Sequence, residues 1–167
     1  MAVHEHHQHA GARKHLTVVV LTASDTRTTA DDESGRLIRG LLEDAGHVIS
    51  HYEVVPDDPE IIRDRVIEHV GRDDMVIING GTGIAARDST IEAIRPLLNK
   101  ELDGFGELFR MLSYQEIGSA AFLSRALAGT AHGRIVVALP GSPAACKLAL
   151  EKLLIPELGH MAHLLKL

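Results

Sequence analysis

Three short runs of β-branched and aliphatic residues constrain this chain more than anything else in it: His15–Thr22 (HLTVVVLT), Met75–Asn79 (MVIIN) and Arg134–Leu139 (RIVVAL). Each is too short for a helix and apolar at nearly every position, the pattern of a strand covered on both faces. Helical patterns lie between them. Ser34–Ala45 carries Leu37, Ile38, Leu41 and Leu42 at helical spacing and stops at Gly46. Asp58-Pro59-Glu60 reads as cap, first-turn proline and acidic first turn of a helix with Ile62, Val66 and Val70 on one stripe, ending at Gly71. Ser89–Leu98 is helical but kinked or split by Pro96. Phe105–Ile117 is amphipathic with Leu108, Phe109 and Leu112 inward, and Pro143–Ile155 forms the last long helix, interrupted at Pro156. His47–Val55 alternates and predicts an edge strand. Buried parallel strands alternating with helices predict a three-layer α/β/α fold with a mostly parallel sheet. Residues 15–167 form one domain, without internal repeat or linker. Residues 1–14 form a His-rich leader (His4, His6, His7, His9), expected to be a disordered tail and not a metal site.

Composition removes several function classes. Lys plus Arg is 17 against 23 Asp plus Glu, a formal charge of −6 with histidine neutral. A nonspecific nucleic-acid grip needs a basic face, and the chain has no Trp and only five aromatics for stacking bases. No apolar run reaches the roughly 18 residues of a membrane span. The lone Cys146 cannot form an intrachain disulfide, which fits a reducing compartment. A cytoplasmic location is expected.

In an open parallel sheet, ligands sit beyond the carboxyl ends of the strands, and three strand ends here carry candidate chemistry. After MVIIN comes Gly80-Gly81-Thr82-Gly83, where glycines permit positive φ and close approach to a ligand. Inward-turned N–H groups and the following helix N-terminus would make an anion site with phosphate as its natural guest. Ser89-Thr90-Ile91-Glu92 matches a capping box. Asp88 has two readings: an N-cap, or a carboxylate sharing Mg²⁺ with a bound phosphate. Gly81–Ala86 formally fits the G-x-G-x-x-G/A dinucleotide fingerprint, but its helix signals begin only near Asp88 and it does not follow the first strand. No P-loop Gly-Lys-Ser/Thr occurs. The second strand end is Val55-Pro56-Asp57-Asp58-Pro59, where Asp57 is either a solvated turn residue or a carboxylate reaching into the crevice. The third is Leu139-Pro140-Gly141-Ser142-Pro143, with Ser142 as cap and Pro143 in the first turn. The loop Thr22–Arg27 after the first strand could line the same crevice, and Cys146 reads as core. Nothing resembles a nucleophile–base triad.

Taken together, INGGTGIAARDST (Ile78–Thr90), VPDD (Val55–Asp58), GFGELFRMLSYQEIG (Gly104–Gly118), FLSRALAG (Phe122–Gly129) and ALPGSPAACKLAL (Ala138–Leu150) resemble the MogA/MoaB family of molybdenum cofactor biosynthesis proteins, the MoaB branch in particular. The resemblance spans roughly residues 15 to 160. It implies a molybdopterin-binding domain that assembles as a homotrimer or homohexamer. It also implies adenylyl transfer from Mg²⁺–ATP to the terminal phosphate of molybdopterin, with release of pyrophosphate and handover to other molybdenum-cofactor enzymes. The family's two carboxylates fall on Asp57 and Asp88, which would hold Mg²⁺ and position phosphates. Its substrate contacts fall on Gly80, Gly81, Thr82, Gly83, Ser124, Pro140, Gly141 and Ser142. The competing readings are a non-catalytic molybdopterin carrier or scaffold with the same pocket, and an unrelated nucleotide-binding protein such as a dehydrogenase.

Overall fold

The computed structural model describes residues 15–167, so the His-rich leader lies outside the described residues. A six-stranded sheet has the order β2-β1-β3-β6-β5-β4. β1 (Thr17–Ala23), β2 (Val48–Val55), β3 (Met75–Asn79) and β6 (Arg134–Leu139) are parallel, while β5 (Leu127–Ala131) and the two-residue β4 (Lys100–Glu101) run antiparallel. The three apolar runs are thus the three central neighbours of the sheet.

Alternate residues of these strands feed two separate cores, as a doubly covered sheet requires. Val18, Val20, Met75, Ile77, Ile135 and Val137 face α1 (Glu33–Asp44), α4 (Asp103–Ile117), α5 (Pro143–Ala149) and α6 (Ile155–Leu165), through Ile38, Leu42, Phe109, Cys146 and Leu158. Val19, Leu21, Val76, Ile78 and Val136 face α2 (Pro59–Val70) and α3 (Thr90–Ile94), through Ile62, Val66, Ile91 and Ile94. The expected three layers are present. Asp58 caps α2 as its sequence predicts, accepting from the N–H of Glu60 and Ile61 at 2.9 and 3.1 Å. α1 begins at Asp32, a fully buried carboxylate that accepts from Gly35 N–H, the Thr22 hydroxyl and the Tyr52 hydroxyl at 3.0, 2.5 and 2.8 Å. That network ties the first helix to β1 and β2. Among the described residues no helix is long and apolar enough to cross a membrane.

Two sequence expectations need correcting, and one strand lies where the sequence predicts none. The last helix does not break at Pro156: a π turn over Leu150–Leu154 joins α5 to α6, and Pro156, which has no N–H to give the preceding turn, follows directly on that wider turn. Leu108 points outward, since the inward face of α4 is set by Phe105 and Phe109; Leu108 instead shares an exposed apolar stripe with Met111, Tyr114 and Ile117. β5 gives little strand signal because Leu-Ala-Gly-Thr-Ala is poor in β-branched residues, and its pairing with β6 and β4 makes it a strand. Pro96 does split its helix, with α3 passing into a 3₁₀ turn over Arg95–Leu97.

Candidate functional site

The strand order places the topological switch between β1 and β3, because the chain leaves β1 toward β2 and returns to its other side. The carboxyl ends of β1, β2, β3 and β6 lie in register there, Thr22 beside Asn79 and Asn79 beside Leu139. Asn79 opens into the glycine loop. Gly80 and Gly81 have φ of +97° and +61°, and a Cβ on Gly80 would run into the Ala23 carbonyl. The loop is therefore pressed against the end of β1, which only glycine allows.

The hydrogen bonds of this loop are one-sided. Its first four carbonyls are all tied back to protein donors. Thr90 gives its hydroxyl to Gly80 O (2.8 Å) and its N–H to Gly81 O (3.0 Å). Arg125 gives Nε to Thr82 O and Nη2 to Gly83 O, both at 2.8 Å. Gly80 N–H goes to Leu139 O at 3.0 Å, but the N–H groups of Gly81, Thr82 and Gly83 find no acceptor among the described residues. Three adjacent free amides with their carbonyls fixed behind them are the arrangement from which anion-binding concavities are built.

Two chambers flank it and share Gly81 and Asp88. The first, about 220 Å³, is acidic, lined by Asp25, Asp57 and Asp88 with Arg87 as its one cationic side chain. Asp57 takes its place through its N–H, which donates to Asp25 Oδ1 at 3.0 Å. Its own Oδ1 is shielded from solvent and has no partner, and a Cβ on Gly81 would stand 2.6 Å from it. Burial, and then the charges of Asp25 and Asp88, hold the Asp57 carboxyl above its usual range against the opposing pull of Arg87. Among the described residues no group of three or more His, Cys, Asp or Glu forms a metal cage by itself. The second chamber, about 390 Å³, is walled by the loop, by Ile117, Ala120 and Leu123, and by Pro140 and Gly141.

The structure brings Asp57, Asp88, Gly80, Gly81, Thr82, Gly83, Ser124, Pro140 and Gly141 to this one crevice. Ser142, exposed beside Gly141, lines neither chamber; its hydroxyl accepts from Ala145 N–H at 3.3 Å as the cap of α5, the role its sequence context predicts. Asp88 is not an N-cap. Its carboxylate turns back to accept from Ala85 N–H at 2.9 Å, and Ser89 occupies the cap position without a side-chain bond. The capping box fails for a different reason, since Glu92 is taken by the distant Arg125. Thr90 and Arg125 are site residues that sequence reasoning missed, and Asp25 was included only as part of the loop expected to line the crevice. Asp25 lies in the first strand's exit loop, and Arg125 directly follows Ser124, but nothing in their spacing announces a partner.

Residues 19–160 match the model of a family described as a probable molybdopterin binding domain. The molybdenum cofactor biosynthesis protein B of Bacillus anthracis is 50% identical over 164 residues, covering 96% of each chain. The chain belongs to the MoaB branch of the molybdenum cofactor biosynthesis proteins. Solved structures agree. A crystal structure of a molybdenum cofactor biosynthesis protein B superposes with a TM-score of 0.90 at 51% identity, covering 93% of this chain and 98% of that one. The tungsten cofactor synthesizing protein MoaB from Pyrococcus furiosus superposes with a TM-score of 0.81 at 41% identity, covering 90% and 96%. The molybdopterin-domain match runs from β1 to α6 and so contains every residue of both chambers.

Proposed function

We propose that this MoaB-type protein binds molybdopterin and ATP in the two chambers and transfers an adenylyl group between them. A terminal phosphate oxygen of molybdopterin attacks the α-phosphorus of ATP, the bond to the β-phosphate breaks, and pyrophosphate leaves. The free amides of Gly81, Thr82 and Gly83 carry this reading, since they offer hydrogen bonds to phosphate oxygens beside a chamber lined by a single cationic side chain, Arg87. Asp57 and Asp88 would hold Mg²⁺, and the shielded, unpartnered Asp57 oxygen is a donor waiting for such a cation. Mg²⁺ takes few carboxylates and completes its shell with phosphate oxygens and water, so two aspartates are enough to hold it. When bound, it would neutralise charge on the triphosphate and its leaving group. No general base is required, because the attacking phosphate oxygen is already an anion; the protein's work is positioning and charge stabilisation. Ile117, Ala120, Leu123, Pro140 and Gly141 would receive the flat heterocycle, and Ser124 lies on the same wall.

The exposed apolar side chains Leu108, Met111, Tyr114 and Phe122 support assembly as a homo-oligomer, with a trimer or hexamer in keeping with the resemblance. Sedimentation at micromolar concentration checks this, and a monomer refutes it. For the reaction, purified protein is incubated with molybdopterin, ATP and Mg²⁺, and adenylyl-molybdopterin and pyrophosphate are measured. Tight molybdopterin binding without pyrophosphate release makes the protein a carrier. Asp88→Ala, which gives up only one loop hydrogen bond, should fold normally and lose turnover by orders of magnitude.

A further inference from the structure

We propose that Arg125 is a positioning residue that holds the second half of the glycine loop in its anion-binding form, acting through main-chain carbonyls and not on the ligand. The proposal rests on the reading of the loop as a phosphate cradle. A peptide group is planar, so fixing the carbonyl of one residue aims the N–H of the next in the opposite direction. Thr90, through Gly80 O and Gly81 O, aims the amides of Gly81 and Thr82. Arg125, through Thr82 O and Gly83 O, aims those of Gly83 and Ile84. The cradle therefore has two halves with separate supports.

The chemistry of the side chain fits the task. Two carbonyls one residue apart need two donors at fixed spacing, which a planar guanidinium supplies and an ammonium does not. The outer edge of the same guanidinium is held by both oxygens of Glu92, through Nη1 and Nη2. Glu92 thus orients the fork and neutralises its charge, leaving Arg125 poorly placed to serve as a phosphate-binding cation. Glu92 and Thr90 both belong to α3, so one short helix anchors both supports.

The test compares wild type, Arg125→Lys and Arg125→Gln. Backbone ¹⁵N relaxation of the unliganded proteins is measured with inorganic pyrophosphate affinity in Mg²⁺, and thermal melting checks the fold. In both variants the amides of Gly83 and Ile84 should lose order while that of Gly81, held by Thr90, keeps it. Pyrophosphate should bind about tenfold more weakly or worse, because the loop must then be ordered on binding. A general structural role would loosen Gly81 as well or lower the melting temperature alone. Wild-type affinity in Arg125→Lys would make Arg125 a simple cation and overturn the proposal, as would unchanged order at Gly83 and Ile84. Wild-type protein that binds no pyrophosphate would instead overturn the cradle reading itself, whatever the relaxation data say of the clamp.

Discussion

Replacing Gly81 by alanine tests the packing of the site through a quantity that can be worked from its backbone. Gly81 has φ of +61°, and a Cβ there would meet the Asp57 carboxylate at 2.6 Å and the Thr90 hydroxyl closer still. Gly133, in the two-residue turn between β5 and β6, has φ of +74° but open space where its Cβ would be. Both substitutions bear the conformational cost of a side chain in the left-handed region, roughly 1–2 kcal/mol. Only Gly81→Ala must also displace buried neighbours, adding roughly 1–3 kcal/mol of overpacking. Gly133→Ala should therefore lose about 1–2 kcal/mol in urea unfolding and Gly81→Ala about 2–5 kcal/mol, both within a typical total of roughly 5–15 kcal/mol. Ligand affinity should fall only for Gly81→Ala. Equal losses of stability for the two variants would mean that the loop does not press on Asp57 and Thr90, and the account of the crevice would fail with it.

Two further outcomes follow from shifted ionisations. Asp57 is held above its usual carboxylate range, so its charged form is penalised in the folded state. The stability of the neutral form is complete below the unfolded-chain value and is lost as pH rises through the raised folded value. In EDTA, Asp57→Asn should therefore melt higher than the parent at pH 7, with the difference closing as pH falls toward the ordinary carboxylate range; a lower melting point at pH 7 contradicts the assignment. Burial, with a contribution from the charge of Asp32, pushes the Cys146 thiol up to about 12, and its Sγ lies 3.1 Å from Pro140 O as a donor. Thiol reagents at pH 8 should label it only at the rate of unfolding, and rapid labelling of the native protein would show the reading to be wrong.

The parts of the fold legible in the sequence are those whose signal is local. β1, β3 and β6 declare themselves because a strand covered on both faces needs an apolar residue at every step, and Asp58 and Ser142 declare themselves because a cap bonds within three residues. The parts that stayed hidden are set by distant groups. Glu92 reads as half of a capping box until Arg125, 33 residues on, takes its carboxylate. Asp88 is the local exception: it reads as a cap for the helix ahead, yet its carboxylate closes on Ala85 behind it. β5 is a strand because β6 and β4 leave it no other pairing. The site divides in the same way: the glycines and Asp57 were visible as types at strand ends, whereas Asp25 and Arg125 gain meaning only when the sheet brings them against the loop.

If the crevice takes a triphosphate as proposed, its charges predict a strong dependence of that binding on a divalent ion. Arg125 is committed to two carbonyls and Glu92, and the acidic chamber sets Asp25, Asp57 and Asp88 against a single arginine. A triphosphate entering without a divalent ion meets like charges. At about 6 Å each such pair repels by roughly 3 kcal/mol at an effective dielectric of about 20, and by less than about 1 kcal/mol in bulk water. The loop amides are dipoles and offset only part of this. Titrating ATP in EDTA and in excess Mg²⁺ should therefore give affinities that differ by at least about a hundredfold, the effect of roughly 3 kcal/mol. A phosphate site built on lysine and arginine would instead bind the free nucleotide well and lose affinity mainly to salt. Equal affinity for ATP with and without the metal would place the triphosphate away from Asp57 and Asp88, leaving the three loop amides to serve a different anion.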